Sequence, residues 1–102
     1  MATEEYNIEL EKIKPLIHKN AHLFWWLPKE KKEDISIDAL VEAILNYGGA
    51  NSVKELINTI GLRLLSEIFK KNTTNRKRVN YFPEVLNYFN LYFSKHVQGY
   101  SE

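Results

Sequence analysis

The chain has 102 residues, a net charge of +1, an apolar fraction of 44% and a charged fraction of 26%, values that specify one folded domain and exclude general disorder. A domain this small buries only about 60–70% of the surface its unfolded chain exposes, so modest stability is expected unless a partner or a second copy covers more. The absence of cysteine excludes disulfides, thiolate metal sites and a cysteine nucleophile. The acidic start Met1-Ala2-Thr3-Glu4-Glu5 is unlike a secretory signal. No apolar run approaches the roughly 18 residues of a membrane span, so a cytoplasmic location is expected. With so small a net charge, binding to nucleic acid would need a local basic patch.

Thr3 is a suitable N-cap, with Glu4 and Glu5 in the positive first turn of a helix. Tyr6, Leu10 and Ile13 form its apolar stripe, and Pro15 is expected to end or kink it near Lys14. Leu16 to Leu27 reads as a short helix or turn carrying the large run Leu23-Phe24-Trp25-Trp26-Leu27, closed by Pro28. Lys29 to Asp34 is a charged, solvated connector. Asp34 or Ser36 then caps a helix whose Ile37, Leu40, Val41, Ile44 and Leu45 define one buried face, and Gly48-Gly49 stops it.

Ser52-Val53-Lys54-Glu55 has the capping-box pattern. Val53, Leu56, Ile57 and Ile60 face inward behind it, and Gly61 ends the helix. Leu62 to Lys71 resumes with Leu62, Leu65, Ile68 and Phe69 on one side and Lys70-Lys71 at the negative end. Asn72 to Asn80 reads as a polar, basic loop. Pro83 opens a last helix to about Val97, with Val85, Leu86, Phe89, Phe93 and Val97 inward. Five helices with short links and no strand-like alternation predict an all-α, single-domain bundle.

Catalytic chemistry is missing from the pattern. His18 and His22 are four apart but lack further zinc ligands in any recognisable spacing. Asp38 and Glu42 share a helical face that lies opposite the core residues, so neither is expected to carry a shifted pKa. Gly48-Gly49 fits neither phosphate-loop spacing, and no serine sits in a nucleophile elbow. No cofactor, metal or enzymatic activity is expected.

Three features point to binding. Lys70, Lys71, Arg76, Lys77 and Arg78 form a basic run without an acid, suited to an acidic protein surface or to phosphates. Ser52 to Lys71 has roughly helix-turn-helix spacing, yet its second helix offers few polar side chains for base edges, which favours a core hairpin. Aromatics make up 13% of the chain, more than one helix face can bury. Phe24, Trp25, Trp26, Tyr88 and Tyr92 are therefore the candidate anchors of a protein interface or of self-association.

The run His22-Leu23-Phe24-Trp25, the charged connector and the helix Ile37 to Tyr47 ending in Gly48 resemble a small prokaryotic family marked by a Leu-Phe-Trp motif. The resemblance continues through Val53–Ile60, Leu62–Lys71 and Asn80-Tyr81-Phe82, and spans about Leu23 to Phe93. Trp26 departs from it, because an aspartate commonly follows the tryptophan in that family. What the resemblance implies is an antitoxin-like protein whose partner is a nucleotidyltransferase toxin of the abortive-infection type. The alternative expectation is a nucleic-acid-binding regulator using the 70–78 stretch.

Overall fold

A computed structural model describes residues 8–74 and 80–100. It contains α1 (Leu10–Lys19), α2 (Ile37–Tyr47), α3 (Gly49–Ile60), α4 (Leu62–Thr73) and α5 (Pro83–His96). Two 3₁₀ turns, Ala21–Leu23 and Lys29–Asp34, connect α1 to α2. No strand occurs among the described residues, so the all-α reading holds. α2 is the central post, packed against both α3 and α4, while α1 lies across α3.

The central position of α2 follows from its sequence. Ile37, Leu40, Val41, Ala43, Ile44 and Leu45 are all buried, and each large aliphatic side chain contributes about 1.5–3 kcal/mol when removed from water. Ser36 starts the helix as its N-cap, its Oγ accepting from the Ala39 amide at 3.0 Å. One core cluster runs from Ile13 on α1 to Val97 beyond α5.

α1 departs from the expected form at both ends. Glu9 is extended and the helix begins at Leu10, delivering Ile8 to the edge of the core. Thr3 and Tyr6 lie outside the described residues. Pro15 does not end α1, which runs on to Lys19. An interior proline costs about 3 kcal/mol through the lost bond and the clash with the preceding turn. Burial of Leu16 and Ile17 outweighs that, at about 1.5–3 kcal/mol each. Glu11 and Pro15 are also exposed, so the missing bond falls on the side where water replaces it.

Asn20 closes α1 and is itself buried. Its Nδ2 donates to the Leu16 carbonyl at 2.9 Å, and its Oδ1 accepts from Ser52 Oγ at 2.8 Å. This explains why the capping box does not form. α3 begins four residues earlier than expected, at Gly49 rather than Val53, so Ser52 lies inside it with its hydroxyl committed to Asn20. Glu55 instead pairs with Lys19 at 2.6 Å. A second surface fastener ties α1 to the Lys29–Asp34 turn: His18 Nε2 lies 2.6 Å from Glu33 Oε2, and Lys14 Nζ lies 3.1 Å from Glu11 and 3.8 Å from Glu33. The hydrogen bond and charge of Glu11, with the charge of Glu33, raise the Lys14 pKa above its ordinary 10.5.

Two glycines set the hairpins. Gly61, at φ +90° and ψ 148°, occupies a region that side chains strongly disfavour, and it turns α3 into α4. Gly48 has ordinary dihedrals, but a Cβ there would sit 2.7 Å from the Ile44 carbonyl oxygen and 3.0 Å from Ser52 Cβ. α2 and α3 therefore meet with no space for a methyl group. α4 continues to Thr73, past the expected start of the loop, because Asn72 is buried and its Nδ2 donates to Asp38 Oδ1 at 3.4 Å. Gly48→Ala is expected to lower unfolding free energy by about 1–3 kcal/mol through overpacking, measurable as a reduced urea midpoint at unchanged slope.

Candidate interaction surface

α5 is held to the bundle by rings and by one asparagine. Phe69, fully buried on α4, places its ring 5.0 Å from Tyr81, 6.1 Å from Phe89 and 5.4 Å from Phe93, within the range of favourable aromatic pairs. Asn46 near the end of α2 donates through Nδ2 to the Asn80 carbonyl at 2.9 Å and accepts through Oδ1 from the Phe82 amide at 3.2 Å. The start of α5 is thereby fixed in register against α2. Beyond the helix, Tyr100 donates its hydroxyl to Asn90 Oδ1 at 2.9 Å and packs on Phe93.

This anchoring directs Phe89 and Phe93 inward and leaves Tyr88 59% and Leu91 53% exposed. Between α5 and α3 lies an open groove of about 630 Å³. Val53 and Ile57 form one wall, Val85 and Phe89 the other, and Leu45 lines it from α2. Tyr88 and Tyr92 stand on the α5 side with their rings stacked at 6.1 Å and 19°. Each wall carries one charge, Lys54 on α3 and Glu84 on α5. Gly49 and Ala50 leave the end of the α3 wall without bulk.

The groove brings together two of the sequence-predicted anchors, Tyr88 and Tyr92, with residues assigned to the core. Val53 and Ile57 are only half-buried, because Leu56 is the single α3 residue that is fully inserted. Exposed Tyr47 and Phe82, in edge-on contact at 5.4 Å, form a further apolar surface that the periodicity did not single out.

The other candidates separate. Trp25 is 81% and Trp26 52% exposed, in edge-on contact at 6.2 Å, as expected of neighbours that cannot both point inward. Phe24 is not an exposed anchor. It is fully buried, with Lys32 Nζ 5.3 Å above its ring and donating to its carbonyl oxygen. The turn after Ala21–Leu23 puts Phe24 in the core, with Leu23 and Leu27 at its edge and Trp25 and Trp26 outside.

Lys70 and Lys71 occupy the last turn of α4, where Lys70 Nζ lies 5.7 Å over the Tyr100 ring. Arg76, Lys77 and Arg78 lie outside the described residues. The α3–Gly61–α4 unit is a core hairpin: Leu65, Ile68 and Phe69 are fully buried, so this face of α4 is not presented to a DNA groove. Asp38 accepts from Asn72. Among the described residues no three His, Asp or Glu side chains gather as a metal site, and no helix is long and apolar enough to cross a membrane.

Phe24→Ala is expected to cost about 3–5 kcal/mol of stability by opening a cavity, whereas Trp25→Ala should stay within about 0.5 kcal/mol of the parent. Thermal or urea unfolding of the two variants checks this assignment. Comparison with protein-family models, with curated proteins and with solved structures gives no match for this chain.

Proposed function

We propose that this chain is a non-catalytic protein-interaction domain of the cytoplasm whose α3/α5 groove receives the apolar stripe of a helix from a protein partner. The observation that carries this reading is the groove itself: an open channel of about 630 Å³ with Val53, Ile57, Val85 and Phe89 on its walls and the Tyr88–Tyr92 pair beside it. Its volume falls within the range of small-molecule pockets, but it is an open channel running between two helices. Here the charged groups in the lining are Lys54 and Glu84, one on each wall. That layout suits an amphipathic helix with an acid on one flank of its stripe and a base on the other.

The Leu-Phe-Trp resemblance supports a nucleotidyltransferase toxin as that partner and an antitoxin-like role for this chain. Exposed Trp25 and Trp26 supply a second apolar contact for a large partner, since buried tryptophan and tyrosine carry much of the energy of protein interfaces.

Two substitutions test the groove without disturbing the core, because Ala50 and Lys54 are both exposed. Ala50→Arg fills the channel and Lys54→Glu reverses one wall. After nuclease treatment, the tagged parent is expected to retain a stoichiometric protein from its host, and both variants to lose it while keeping the parent's thermal midpoint. Undiminished retention by both variants would overturn the groove assignment. Recovery of nucleic acid alone, released steeply with salt, would favour the nucleic-acid-binding alternative instead.

A further inference from the structure

The outer face of α5, beside the groove, has a pattern of its own. Glu84, Tyr88, Leu91 and Lys95 are spaced four, three and four residues apart, which keeps them on one stripe of an α-helix. All four are exposed. Leu91 and Lys95 do not line the groove, so the stripe is a separate surface that meets the groove only at Tyr88 and Glu84. Neither Glu84 nor Lys95 has an ion-pair partner among the described residues.

The stripe is self-complementary. Glu84 and Lys95 lie equally far from the point midway between Phe89 and Asn90, and so do Tyr88 and Leu91. A two-fold axis through that point, perpendicular to the helix, runs a second α5 antiparallel to the first. It sets Glu84 opposite Lys95 of the other copy, and Tyr88 opposite its Leu91, each contact occurring twice. This is the isologous arrangement of a two-fold homodimer. It covers the two large apolar side chains at its centre and leaves the charged pairs at a solvated rim, as interfaces are ordinarily built.

We infer that α5 is the contact between two copies of this chain, paired antiparallel through Glu84, Tyr88, Leu91 and Lys95. The helix has 14 residues, which is about 21 Å at 1.5 Å per residue. One such helix pair lies at the small end of specific interfaces, below about 1,200 Å², so the dimer is weak and forms in the micromolar range or above. This inference does not depend on the groove's having a partner.

Sedimentation velocity of the full chain over a micromolar-to-millimolar series tests it, using Glu84→Lys, Lys95→Glu and the double variant. Each single reversal turns two symmetric attractions into repulsions. With repulsion replacing attraction at both symmetric, solvent-exposed pairs, the dimer dissociation constant is expected to rise about tenfold. The double variant restores both pairs and should return to within about threefold of the parent. Both reversals oppose the α5 dipole, so a loss of helix stability alone would leave the double variant worst of all. Leu91→Ser should abolish the dimer, and Ala50→Arg should leave it intact. A parent that stays monomeric through the series overturns the inference, and so does a dimer that the single reversals do not weaken or the double variant does not recover.

Discussion

The packing of Phe69 against α5 is the contact on which the exposed surfaces depend. α1 to α4 form their bundle through aliphatic side chains on and around α2, but α5 is secured by rings. Phe69 meets Tyr81, Phe89 and Phe93 at 5.0–6.1 Å, and these contacts fix the rotation of α5 about its own axis. Turning α5 by one residue, about 100° on a 3.6-residue helix, would bring Tyr88 or Asn90 inward in place of Phe89. The groove wall and the outer stripe would then both vanish. Asn46 sets the other coordinate, the height of the helix, by its reciprocal bonds to Asn80 and Phe82. Orientation and height together place Val85 and Phe89 across from Val53 and Ile57.

This division explains why the domain has apolar surface left over. Large rings on α5 hold it against α4 while leaving its α3-facing edge open, and α3 inserts only Leu56 completely. The resulting channel is lined by side chains that a larger domain would bury. In a chain of 102 residues, a partner seated in that channel as proposed would add stability as well as affinity.

Much of the fold was legible in the sequence where one signal acted alone. The α2 face from Ile37 to Leu45, the stops at Gly48 and Gly61, the cap at Ser36 and the start at Pro83 all follow from periodicity or backbone chemistry local to each element. The departures occur where a tertiary contact overrode a local rule. Pro15 sits within α1 because Leu16 and Ile17 are buried beyond it. Ser52 is drawn from its cap by Asn20, which lies 32 residues earlier. Asn72 extends α4 because it reaches Asp38 across to α2. Of the candidate site, the aromatic surplus picked out Tyr88, Trp25 and Trp26, which are exposed, and Tyr92, which is partly buried against the core. It could not separate Phe24 from its neighbours, since a turn rather than a helix decides which of three adjacent rings goes inward. Nor could it find the α3 wall, because Val53 and Ile57 carry the same pattern as core residues and only the position of α5 leaves them uncovered.

The most direct test of this account is residue-resolved amide hydrogen exchange on the parent and on Phe69→Leu, which keeps an apolar side chain but removes the ring contacts. If the rings hold α5, exchange should quicken across Leu86–His96 while the amides of α2 and α3 keep most of their protection, because α5 then opens as a unit of lower stability than the bundle. Equal loss of protection in all helices, or none in α5, would contradict the claim that Phe69 positions α5 and with it the groove and the outer stripe.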